Sequence, residues 1–88
     1  MKKPAFPILA QLMAKHGIRR SDISEVIGLS YRNTLKKING ETKFDLVEAG
    51  KITKTFRDLG EKITESITYE GGIRETTRPI MIEDIFFS

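Results

Sequence analysis

Apolar positions recur at helical spacing through residues 1–60 and switch to alternation after residue 61. Ile8, Leu9, Leu12 and Met13 fall at i, i+1, i+4 and i+5 and predict a helix over 7–16, with Pro7 in its first turn and Gly17 at the left-handed position that ends it. Ile23, Val26 and Ile27 predict a second helix over 20–27. Asp22 sits where negative charge favours a helix N-terminus, Ile18 can staple onto Ile23, and Gly28 stops the helix. In Gly28-Leu29-Ser30, glycine supplies positive φ, Leu29 an apolar plug and Ser30 the N-cap of a third helix ending at Asn39-Gly40. Two short helices joined so tightly must cross steeply.

Asp45-x-x-Glu48 has the form of a capping box opening a fourth helix over 46–59, with Leu46, Ala49, Ile52 and Phe56 facing inward and Gly60 beyond its end. Gly50 inside that helix costs about 1 kcal/mol relative to Ala, which predicts a close helix contact there. From Glu61, Ile63, Ile67 and Tyr69 alternate with polar residues. Gly71-Gly72 carries hairpin-turn chemistry, and Ile73 to Arg78 is Thr-rich, so a β-hairpin is expected. The closing segment, Ile80 to Phe87, is apolar enough to pack as a short helix or strand. The expected fold is mainly α, a bundle of four to five helices with a C-terminal β-hairpin extension. Residues 1–60 form the body; residues 61–88 form the hairpin and apolar tail.

Eighty-eight residues suffice for one domain, and 39% hydrophobic with 31% charged residues is the balance of a chain that folds. The absence of cysteine excludes a disulfide scaffold and thiolate metal sites and points to the cytoplasm. Apolar runs such as Phe6–Ala10 fall far short of the roughly 20 residues of a membrane span. The net charge of +3 is unevenly spread: residues 1–60 hold twelve Lys and Arg against six Asp and Glu, and residues 61–88 hold three against six. A basic body suits a polyanion partner.

Drawn as a wheel, the third helix gathers Tyr31, Thr34, Leu35 and Ile38 on one side and Arg32, Asn33, Lys36 and Lys37 on the other. The outward set has the chemistry of base readout. Arg bonds bidentately to guanine O6 and N7, Asn to adenine N6 and N7, and Lys reaches guanine or phosphate, each good bidentate contact being worth about 1–3 kcal/mol of discrimination.

The string from Gly17 through Gly28-Leu29-Ser30 to Asn39-Gly40 resembles the helix-turn-helix of the phage repressor and Cro family, also called the XRE family. The segment Thr42 to Ile52 is similar to the next helix of small Gram-positive prophage regulators. The resemblance covers residues 6–59 and rests on the joint spacing of these signals. It implies a lambda-repressor-like fold, with the third helix in the major groove of double-stranded DNA and the second across it. It further implies phosphate contacts by Arg19, Arg20, Ser30, Asn39, Thr42 and Lys43, and base contacts by Tyr31, Arg32, Asn33 and Lys36, to which the wheel adds Lys37. Two departures stand out. The family's inner pair falls near 34 and 37, whereas Leu35 and Ile38 are the apolar residues here, which predicts a helix turned by about one residue with Tyr31 partly tucked in. Arg19 also occupies an N-cap position where Thr or Ser is usual, which predicts a weaker cap that Asp22 offsets.

The implied function is sequence-specific transcriptional regulation by a phage or prophage repressor or Cro-like protein. A homodimer on DNA is expected, because paired heads read half-sites one helical turn apart. The hairpin edge, or the tail Ile85-Phe86-Phe87, could supply the two-fold contact or simply complete the core. Two other functions fit the same chain: a protein-interaction module whose hairpin edge accepts a partner strand, and an antitoxin-type regulator that binds both DNA and a toxin. His16 is the sole histidine, expected at the surface near a helix C-terminus, with no neighbours for a zinc site. Scattered carboxylates and serines without a base argue against catalysis, and no cofactor is expected. Lys2 and Lys3 read as a solvated terminus.

Overall fold

The computed structural model describes residues 4–87, and Lys2 and Lys3 lie outside the described residues. The described chain is a small α+β protein with five helices and a two-stranded antiparallel sheet. In order these are α1 (Pro7–His16), α2 (Arg20–Ile27), α3 (Tyr31–Ile38), α4 (Leu46–Asp58), β1 (Lys62–Tyr69), β2 (Gly72–Pro79) and α5 (Ile82–Phe86). No helix among the described residues is long and apolar enough to cross a membrane.

The core joins Leu9 and Leu12 of α1, Ile23 and Ile27 of α2, and Ile52 and Phe56 of α4 to Ile80 and Ile85 from the end of the chain. Ile80, Ile85 and Phe86 therefore complete the chain's own interior, which removes Ile85 and Phe86 as a free two-fold contact and leaves Phe87 exposed at 70%. Phe86 meets Phe6 and Phe44 with ring centroids 5.4 and 5.2 Å apart, edge-on contacts that add to plain burial. Arg57 seals the junction by donating Nε and Nη2 to the Ile80 carbonyl at 3.2 and 2.9 Å.

Two details of α4 depart from expectation. Leu46, expected inside, is 72% exposed. The buried stripe of α4 runs through Glu48, Ala49, Ile52, Thr53 and Phe56, and Leu46 and Val47 at its start lie outside it. Gly50 makes no close approach: a Cβ added there would meet Ile82 Cδ1 at 3.9 Å, an ordinary contact. The close approach lies at Gly40, whose φ is +82° and where an added Cβ would fall 2.8 Å from Ala5 Cβ. The chain entering α1 thus presses on the end of α3, and only glycine fits between them.

β1 and β2 pair from Lys62↔Pro79 to Tyr69↔Gly72, with Glu70-Gly71 as the connection, one residue earlier than the Gly-Gly reading. Past Ile63 the alternating apolar residues find no cover, since Ile67, Tyr69 and Ile73 are all at least half exposed. The hairpin extends a molecule 53 Å long and 29 by 23 Å across. Its base is clamped. Arg78 donates Nη1 and Nη2 to both carboxylate oxygens of Asp84 at 2.8 and 2.9 Å, and Nε to Glu65 at 2.6 Å. The Arg78 hydrogen bonds hold the Asp84 carboxyl below its ordinary value, aided by the Met81 N–H and opposed by burial.

His16 is not a bare surface residue. Its Nε2 lies 2.7 Å from Glu61 Oε1, which Lys15 Nζ also approaches at 2.6 Å. The bond from Lys15, then that from His16, keeps the Glu61 carboxyl below its usual range against the opposing effect of burial.

Candidate nucleic-acid interface

The turn between α2 and α3 is locked by short-range bonds. Gly28, at φ +70°, and Leu29 both donate their N–H groups to the Ser24 carbonyl, and Ser24 Oγ donates to the Leu29 carbonyl. Ser30 caps α3 by accepting from the Asn33 N–H at 3.2 Å, while Thr34 Oγ1 returns a bond to the Ser30 carbonyl at 2.9 Å. At the start of α2, Arg19 has no side-chain acceptor to offer. Asp22 supplies the cap instead, its Oδ2 accepting the Arg19 N–H at 2.8 Å.

These locks set the phase of α3, which keeps Thr34 and Ile38 of the wheel's inner side against the body but exchanges the facing of Tyr31 and Lys37. Thr34 is fully buried, and Tyr31, expected to be tucked in, is 50% exposed. Lys37, expected to point outward, turns in. Its Nζ donates to Glu48 Oε1 at 2.7 Å and to the Lys43 carbonyl at 2.8 Å, leaving 17% of the side chain exposed. The inner face therefore runs through Thr34, Lys37 and Ile38, so Lys37 takes an inner place that the expected rotation by one residue would have turned to solvent. A methyl-bearing hydroxyl bonded to its own helix and a lysine with a carboxylate partner both tolerate burial. Apolarity alone does not report that.

Glu48 forms the expected capping box and has a second role that the sequence did not show. Its Oε1 accepts the Asp45 N–H at 3.0 Å while its own N–H donates to Asp45 Oδ1 at 2.7 Å, closing the capping box of α4. The same oxygen holds Lys37, so one carboxylate joins α3 to α4. The signal was present in Asp45-x-x-Glu48, since a capping-box carboxylate keeps lone pairs for a further donor.

With Lys37 withdrawn, Arg32, Asn33 and Lys36 are the polar side chains that α3 exposes, beside Tyr31. Arg19 and Arg20 are exposed at the start of α2, and Asn39, Thr42 and Lys43 beyond α3. Among the described residues, Arg19, Arg20, Arg32, Lys36 and Lys43 form no ion pair. Arg19, Arg20, Tyr31 and Asn39 border a single open groove of about 1040 Å³ between the start of α1 and the α2–α3 pair, with Glu41 as its acidic rim. Ser30 stands at the head of α3, its hydroxyl engaged as the cap. The surface thus combines planar and point-charge donors with an aromatic edge and can address a polyanion carrying hydrogen-bonding edges.

No family model matches the chain, and comparison with curated proteins and with solved structures finds no match.

Proposed function

We propose that this chain is a sequence-specific double-stranded DNA-binding regulator of transcription, a cytoplasmic repressor or Cro-like protein with a lambda-repressor-like helix-turn-helix body. In this reading α3 enters the major groove, α2 crosses above it, and two copies address two half-sites. The observation that carries it is the exposed, unpaired set Arg32, Asn33 and Lys36 on a short helix whose opposite face is closed by Thr34 and the Lys37–Glu48 pair. Arg19, Arg20, Asn39, Thr42 and Lys43 flank that set at both ends of the helix pair and supply phosphate contacts.

Selection of bound sequences from a random duplex pool tests the reading. The expected outcome is an enriched motif whose affinity falls with salt at a log–log slope of about −0.9 per phosphate contact. On that motif, Arg32→Ala and Asn33→Ala each cost about 1–3 kcal/mol and relax preference at one position, whereas Lys43→Ala weakens all sequences alike and lowers the salt slope by about 1. Undiminished affinity in the triple alanine variant at 32, 33 and 36, or no enrichment from the pool, overturns the assignment.

A further inference from the structure

We infer that the open groove between α1 and α3 is a docking site for one amphipathic helix of a partner protein, which lays an acidic end on Arg19 and Arg20 and a basic end on Glu41. The segment that opens and forms α1 contributes Phe6, Ala10 and Met13, spaced i, i+4 and i+7, and α3 contributes Tyr31 and Ile38, spaced i and i+7. Each stripe is about 10 Å long at 1.5 Å per residue. This chain buries none of these side chains fully, and Tyr31 is half exposed. Ala10, small between Phe6 and Met13, leaves a notch over which a third helix can approach to an ordinary interaxial distance of about 8–10 Å.

The two ends of the groove differ in sign. Ala5 against the Gly40 position ties the start of α1 to the end of α3, where Glu41 stands. The other end of α1 leads through Gly17 and Ile18 to Arg19 and Arg20 at the start of α2. All three charged side chains are exposed, and none forms an ion pair among the described residues. A complementary occupant carries carboxylates at one end and a cation at the other, joined by an apolar stripe of about two to three turns.

Backbone chemistry decides for a helix over an extended segment. α1 and α3 spend their own N–H and C=O groups internally and offer no strand edge. An extended chain in the groove would leave its peptide groups without a ladder partner, whereas a helix satisfies its own. The duplex contacts proposed above use Arg19, Arg20 and Tyr31 and leave Phe6, Ala10 and Met13 uncovered. Partner and duplex therefore compete for the two arginines. That consequence rests on the DNA reading; the site itself does not, and its test contains no DNA.

The full chain is immobilised and screened against a display library of peptides about twelve residues long, roughly 18 Å as a helix, and the most enriched sequence is synthesised for anisotropy titration. Enriched peptides are expected to carry apolar residues at helical spacing, with Asp or Glu at one end and Lys or Arg at the other, and to become helical on binding by circular dichroism. Ala10→Glu, a change at an exposed site, should leave the melting temperature nearly unchanged and weaken binding at least about tenfold. The Arg19→Glu, Arg20→Glu double variant keeps its fold, because negative charge suits the start of α2, and should also bind about tenfold more weakly. The same peptide with Lys in place of its acidic residues should regain affinity on that variant. No enrichment, enriched peptides without helical period, undiminished affinity for the Ala10→Glu chain, or no recovery by the charge-exchanged peptide overturns the assignment. So does a chain that self-associates in sedimentation and loses that association in Ala10→Glu, which would put a second copy in the groove.

Discussion

Lys37 and Tyr31 have exchanged the places that side-chain polarity assigns them, and the exchange is measurable. Lys37 reaches Glu48 across the α3–α4 contact, where both side chains are largely withdrawn from water. Lys37→Ala should therefore lower stability by about 1–3 kcal/mol, the usual range for losing a hydrogen bond to a charged group. Urea unfolding reads this loss, and base preference should stay as it is. Tyr31→Ala should behave oppositely, costing less than about 1 kcal/mol because half the ring is in solvent, and altering base preference in the duplex selection. A large stability loss at Tyr31 with none at Lys37 would restore the apolar wheel.

At the scale of elements, helix limits were legible because caps and stop signals act within a few residues. Ser30, Asp45 with Glu48, and the glycines at 17 and 28 stand where α1 to α4 begin or end. The facing of an element was less legible, since it depends on what lies opposite. Leu46 and Ile67 carry the right periodicity and remain in solvent because nothing in this subunit covers them. Gly50 illustrates the same limit. Its contact with Ile82 leaves room for a methyl group, so Gly50→Ala should stabilise α4 by about 1 kcal/mol. For a domain of this size that raises the melting midpoint by about 4–8 °C. A fall in melting temperature would show that the helices approach more closely at this point.

At the scale of the whole molecule, ion pairs fasten the start of β1 to α1 and the end of β2 to α5, and they set the acid response. Glu61 and Asp84 both have folded-state pKa values below their ordinary 4.5 and 3.8. The unfolded chain takes up protons first as pH falls, so the stability these groups contribute is complete above those ordinary values and is lost as pH drops through the folded ones. Thermal melts from pH 7 to 3 should be level in this respect down to about pH 5 and fall below it. The Glu61→Gln, Asp84→Asn double variant should be less stable at pH 7 and show a shallower decline in acid. An equally steep decline in that variant would assign the acid response to other carboxylates.

Local chemistry, carried by capping side chains, glycines and the change from helical to alternating period, was enough to mark the helices, the hairpin and the exposure of Arg32, Asn33 and Lys36. These features depend on neighbours a few residues away, which the chain order supplies. The facing of α3, the double duty of Glu48 and the burial of Ile80 and Ile85 required partners 11 to 80 residues distant, such as Lys37 with Glu48 and the contact of Phe6 with Phe86. Such partners meet only after the helices have packed, and a buried lysine or threonine looks identical to an exposed one until the group that satisfies it is in place.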